Sequence, residues 1–155
     1  MRKIMESELG QLPISEIKID LKARDEIPKI LLGLQALYCD EKARKKIFKI
    51  LEEAIPENIN PKTGRKGMDL WKILVLGCIR LGCSWDYDKL HDIANNHRTI
   101  RQMLGHGSFS DEYKYNLQTL KDNISLFTPK VLEEINQVTI EYGHNFFLAK
   151  KKIKI

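Results

Sequence analysis

Cys78, Cys83 and His91 are residue types that bind zinc, and they fall within a short span of this 155-residue chain. Their spacing fits no closed four-ligand pattern, and Cys78 lies inside an apolar run, so burial is the reading the pattern favours. Asp86, Asp88 and Asp92 gather on or near one helix face, an arrangement that could hold a cation or move a proton. Acidic residues near the start of a helix need only its dipole to explain them. Gly64, Gly67, Gly105 and Gly107 read as turn glycines, with no phosphate-cradling glycine loop among them. No Ser or Cys nucleophile can be paired with a base from the sequence. The chain therefore presents no credible active site and implies no small-molecule substrate.

The stretch "GCSWDYDKLHDIANNHRTIRQMLGHG", residues 82–107, offers a different chemistry. An apolar helix, a tight turn at Gly82 to Ser84 and a second helix make a helix-turn-helix-like arrangement. Lys89, His97, Arg98, Thr99 and Arg101 offer cationic or polar contacts to phosphates, and Arg98 and Arg101 also suit guanine edges. Asn95 and Asn96 can bond bases or phosphates, and Trp85 and Tyr87 can stack or touch the backbone. The same pattern also describes a plain bundle in which Trp85 and Tyr87 pack and the arginines are solvated. Pattern alone leaves the two readings balanced.

The elements that would position these residues are helical. Ile27, Ile30, Leu31, Leu34, Leu37 and Tyr38 recur at helical spacing after Asp25, with Pro28 in the first turn. A second helix, about Asp40 to Ile55, has Ala43, Ile47, Ile50, Leu51 and Ala54 inward and Arg44, Lys45, Lys46 and Lys49 outward. Residues 56–67 form a loop by composition. "MDLWKILVLGCIRLG" is apolar nearly all round, which marks a helix buried all round, with Gly82 as its stop and Ser84 capping the next. That next helix runs from Trp85 to about Asn96, and a shorter one from Arg98 to Leu104 ends at Gly105. Ser110 caps another whose inner face is Tyr113, Leu117, Leu120, Ile124 and Phe127. Thr128-Pro129 opens the last, with Val131, Ile135, Val138, Tyr142 and Phe146 as its stripe. Ile17, Ile19 and Leu21 alternate with polar residues, predicting a short strand or an extended arm near the N-terminus. The fold class expected is all-α: a multi-helix bundle around one central buried helix.

The chain is 43% hydrophobic and 30% charged, which suits one globular domain with its own core. Its net charge of +5 is spread thinly apart from Lys150, Lys151, Lys152 and Lys154. That excess is compatible with nucleic acid without requiring it. An odd number of cysteines and no signal-peptide pattern point to a reducing, cytoplasmic setting. The apolar run from Met68 to Leu81 is too short to span a bilayer and carries Asp69, Lys72 and Arg80, so no membrane partner is expected.

Three longer stretches carry a resemblance. "RDEIPKILLGLQALY", "GRKGMDLWKILVLGCIRLGCSWDYDKLHDIANNHRTIRQMLGHG" and "EYKYNLQTLKDNISLFTPKVLEEINQV" resemble the N-terminal region of a family of bacterial insertion-sequence transposases. The resemblance covers roughly residues 14–152. It implies an all-helical domain that binds the double-stranded DNA ends of the element, followed by an RNase H-like catalytic domain. There, Asp, Asp and Glu hold two divalent metal ions, expected to be Mg, for strand cleavage and joining. The first catalytic Asp would lie beyond Ile155, so none of the family's catalytic residues, and no cofactor, is carried over to this chain.

The expected organisation is an N-terminal arm over 1–24, a helical DNA-binding domain over 25–149, and a basic tail over 150–155. The tail's Ile153-Lys154-Ile155 alternation would open the missing catalytic domain. The expected function is that of a truncated transposase binding DNA ends without strand transfer of its own. Lys62, Arg65 and Lys66, with the Lys150–Lys152 tail, would add phosphate contacts. The alternative is an interaction module that dimerises or associates with, and inhibits, an intact transposase through an apolar strip near Phe146 and Phe147.

Overall fold

The apolar run after Met68 becomes the helix on which the molecule is built. A computed structural model describes residues 3–5, 10–20, 26–55, 67–107 and 113–142. In chain order the helices are α1 (Ile27–Cys39), α2 (Glu41–Ala54), α3 (Leu70–Cys83), α4 (Tyr87–Asn96), α5 (Arg98–Met103), α6 (Leu117–Ile124) and α7 (Pro129–Glu141). Among the described residues there is no strand. On α3, Leu70, Trp71 and every residue from Ile73 to Ile79 are buried. It packs against α1, α2, α4 and α6, while α7 lies on α2 and α5 on α4. The central-helix expectation thus holds.

The ends of α3 show how the chain satisfies its backbone. Its first N–H groups have no partner within the helix. Leu70 N donates to Lys3 O and Trp71 N to Ile4 O, each at 2.9 Å, so an N-terminal segment closes that end. Asn123 Oδ1 accepts from Met68 N at 3.1 Å, tying α6 to the same place. Trp71 Nε1 donates to Met103 O at 2.6 Å and joins the core helix to the end of α5.

Several boundaries differ from the sequence reading, each for a local reason. Gly82 does not stop α3; it lies inside the helix, where a Cβ would come within 2.7 Å of Ile30 Cδ1. The reversal falls at Ser84, which takes the left-handed conformation with φ 55°. Trp85 N then bonds back to Arg80 O at 3.0 Å, the closure of a Schellman-type end. Asp86, not Ser84, caps α4, its side chain accepting from Lys89 N at 2.8 Å. Leu21 lies outside the described residues, and in place of the strand, one of the two N-terminal expectations, there is a 3-10 turn over Ile14–Glu16, followed by irregular chain to Asp20. Gln35 Nε2 holds it by donating to Ile14 O and Ile17 O, so the two isoleucines drop into the core. Ala54 is exposed, and Phe48 fills the α2 face in its stead.

The largest difference lies before α6. That helix starts at Leu117, capped by Asn116, whose Oδ1 accepts from Gln118 N and Thr119 N. Tyr113 is therefore not on a helix face at all, and Ser110 and its acidic neighbours lie outside the described residues. Residues 113–116 run as non-helical chain alongside α4 and α5, with Tyr115 buried.

Candidate nucleic-acid interface

The segment over 113–116 is held by the polar residues of α4 and α5. Asn95 uses its whole amide on one residue: Nδ2 donates to Tyr115 O at 3.1 Å, and Oδ1 accepts from Tyr115 N at 2.7 Å. His91 Nε2 donates to the same Tyr115 O at 2.9 Å. Arg101 is only 5% exposed; Nη1 donates to Ala94 O at 3.1 Å and Nη2 to Tyr113 O at 2.6 Å. A guanidinium presents a rigid fork of donors, so one side chain can tie the end of α4 to a distant strand of chain. His106 Nε2 meets the Tyr115 hydroxyl at 2.6 Å. These contacts answer why polar residues crowd so abruptly after an apolar helix: they replace the ladder that 113–116 lacks.

Two of the residues read as DNA contacts, Asn95 and Arg101, are buried and hydrogen-bonded to backbone carbonyls and an N–H of their own chain. Sequence spacing placed Arg98 and Arg101 on one helix; it could not show that the chain beyond α5 returns over Arg101.

The other candidates are distributed as follows. Arg98 is exposed and, among the described residues, has no ion-pair or hydrogen-bond partner. Asn96 is exposed, its Nδ2 donating to Asp92 Oδ1 at 2.8 Å. His97 caps α5, Nδ1 accepting from Ile100 N at 3.3 Å, and Thr99 is half-buried beside it. Lys89 is exposed, with Nζ 5.7 Å from the Trp85 ring centroid. Tyr87 carries the Arg80 guanidinium 4.3 Å above its ring. Both aromatics are half-buried, with Arg80 close on the Tyr87 ring and Lys89 a looser neighbour of Trp85. Asp86, Asp88 and Asp92 make the outer face of α4 acidic, which disfavours that face for phosphate. Lys62, Arg65 and Lys66, the Lys150–Lys152 tail, Phe146 and Phe147 lie outside the described residues.

What the structure brings together is a solvent-open hollow of about 510 Å³. Arg98, Lys114, Asn96 and Gln102 line it, with Arg101 and His106 in its wall. Lys114 Nζ also donates to Asn95 O at 3.0 Å, which fixes the ammonium at the rim. Lys114 and Gln102 were missed by the sequence reading. The signal for Lys114 was present in the alternation of Tyr113, Lys114 and Tyr115, which belongs to extended chain and not to a helix.

Among the described residues, no group of three or more His, Cys, Asp or Glu could hold a metal ion. Cys39, Cys78 and Cys83 form no disulfide with one another, and burial pushes the Cys78 thiol up to about 12 from the ordinary 9.0. No helix among the described residues is long and apolar enough to cross a membrane. No family model, curated protein or solved structure matches the chain.

Proposed function

We propose that this chain is the DNA-end-binding helical region of an insertion-sequence transposase and carries out no strand transfer by itself. The observation that supports this reading is the cationic hollow between α4, α5 and residues 113–116. Arg98 has a guanidinium with no partner among the described residues, Lys114 adds a second positive charge, and Asn96 and Gln102 add amides able to bond phosphates or base edges. The contact surface is narrower than the full 85–101 stretch: Arg98, Lys114, Asn96 and Gln102 meet the duplex, and Asn95 and Arg101 hold them in place.

The test is fluorescence anisotropy with duplex DNA from the ends of the chain's own element against a scrambled duplex, across a salt series. End-specific binding whose log affinity falls with log salt by roughly 0.9 per phosphate contact is the expected result. Absence of binding to either duplex would sink the proposal.

A second reading, an interaction module, draws on a different observation. Ile4, Met5, Tyr38 and Phe48 line an open apolar groove of about 280 Å³, flanked by Arg44, Lys45, Lys49 and Glu52. Light scattering decides this reading: a strict monomer across the micromolar range removes self-association from it.

A further inference from the structure

We infer that the open face of Tyr113 is a stacking platform for an unpaired nucleobase, with the neighbouring cationic hollow taking the adjoining phosphate. This inference deepens the DNA-binding reading and rests on it. Tyr113 is 52% exposed, yet nothing about it is loose. Its ring lies on His106, with centroids 5.6 Å apart and planes 18° from parallel. Tyr115 meets it edge-on at 5.0 Å, and Arg101 Nη2 holds its carbonyl at 2.6 Å. One ring face is thus supported from beneath while about half of the residue remains in water. An aromatic surface fixed in advance loses little conformational freedom when a base stacks on it, so more of the stacking energy appears as affinity.

The charges around the ring fit a nucleotide. Lys72 Nζ stands 5.9 Å from the centroids of both Tyr113 and Tyr115. Tyr113 and Tyr115 line a second cavity of about 520 Å³ whose charged lining residues are Lys3, Lys72 and one carboxylate, Asp69. Lys114, between them in sequence, lines the first cavity with Arg98. His106 borders both, so the platform and the phosphate hollow share a wall. The alternation of the chain therefore sends two aromatic rings to one side and a cation to the other. That is the combination by which unpaired nucleic acid is held: a ring for the base and positive charge for the backbone. A fully paired duplex cannot use the ring, because its bases are already stacked on one another.

The experiment compares a paired duplex with the same duplex carrying a single bulged base, using the whole chain and its Tyr113→Ala and Tyr113→Phe variants. The wild type should bind the bulged duplex more tightly. Tyr113→Ala should weaken that complex by about tenfold and leave the paired duplex unchanged, whereas Tyr113→Phe should keep the preference. A bulged 2-aminopurine should lose fluorescence on binding the wild type, a readout that needs no variant. Equal affinity of the wild type for both duplexes, with Tyr113→Ala changing neither, overturns the platform and leaves the DNA-binding reading standing. If the wild type binds neither duplex, both readings are lost together.

Discussion

Arg98 and Arg101 lie on the same short helix, but only one of them faces water. Arg101 closes two backbone carbonyls from a buried position, so Arg101→Ala strands Ala94 O and Tyr113 O. A buried group left unpaired costs about 1–3 kcal/mol; the bond to Ala94 O is buried and the bond to Tyr113 O only partly so, and a loss of about 2 kcal/mol in total is expected by chemical denaturation. DNA affinity should fall in this variant as the fold loosens. Arg98→Ala should leave stability within about 0.5 kcal/mol and still weaken DNA binding. An Arg98→Ala protein with full affinity would remove that residue from the interface. Cys78 gives a second residue-scale test. Its thiol ionises near 9 in the unfolded chain and near 12 when folded. Between those values the unfolded state sheds a proton that the folded state keeps, so stability is intact below pH 9 and declines as pH rises. From pH 7 to 10.5 the wild type should lose about 2 kcal/mol more than Cys78→Ala, measured by urea unfolding. Parallel pH profiles for the two proteins would show that Cys78 does not hold its proton as burial requires.

At the scale of elements, packing overrules intrinsic preference at Gly77. Alanine is the better helix former by about 1 kcal/mol, which alone would make Gly77→Ala stabilising. A Cβ at that position, however, would sit 2.4 Å from Phe127 Cδ1, and Phe127 is fully enclosed with no room to withdraw. Overpacking of this kind costs about 1–3 kcal/mol, so after the propensity gain a net loss of about 1 kcal/mol is expected. Pairing it with Phe127→Leu should recover part of that loss; if the double variant is simply additive, the clash is not the cause. Gly77 also marks what a sequence can disclose. The all-round apolarity of α3, the 3.6-residue stripes of α1 and α7, and the Thr128-Pro129 start were legible because each is a local periodicity or cap. The start of α6 was not, because Tyr113 and Leu117 obey helical spacing although Tyr115 between them is bonded to Asn95, 20 residues earlier. The same long-range pairing hid which of the polar residues in 85–101 face water. Stretches held by side chains from another element carry no period of their own to read.

For the molecule as a whole, the question is which of its positive surfaces meets DNA. Helix α3 joins two groups, α1, α2 and α7 on one hand and α4, α5 and α6 on the other, and each group carries cations. On α2 the positive charge is largely answered. Lys45 pairs with Glu41 at 3.1 Å, and Lys46 with Glu141 at 2.7 Å. The hydrogen bond to Glu141 holds the Lys46 ammonium above its ordinary pKa. Arg44 stacks on Tyr38 and donates to its carbonyl, while Glu52 and Glu53 stand exposed on the same helix. Only Lys42 and Lys49 there carry positive charge without a partner among the described residues. Exposed pairs are weak and screened, but they still lower the local field that phosphate would feel. At the α4–α5 hollow, Arg98 and Lys114 converge on one cavity with no carboxylate among its described lining residues. The binding free energy of a polyanion follows the number of phosphates neutralised, so the two surfaces can be told apart by salt dependence. The Arg98→Ala/Lys114→Ala pair should lower the log–log slope by roughly 1.8 if each side chain neutralises one phosphate. The Lys42→Ala/Lys49→Ala pair removes the same formal charge and should leave the slope near its wild-type value. If the two double variants lose slope equally, DNA is held by net charge spread over the whole surface, and the hollow has no special part in it.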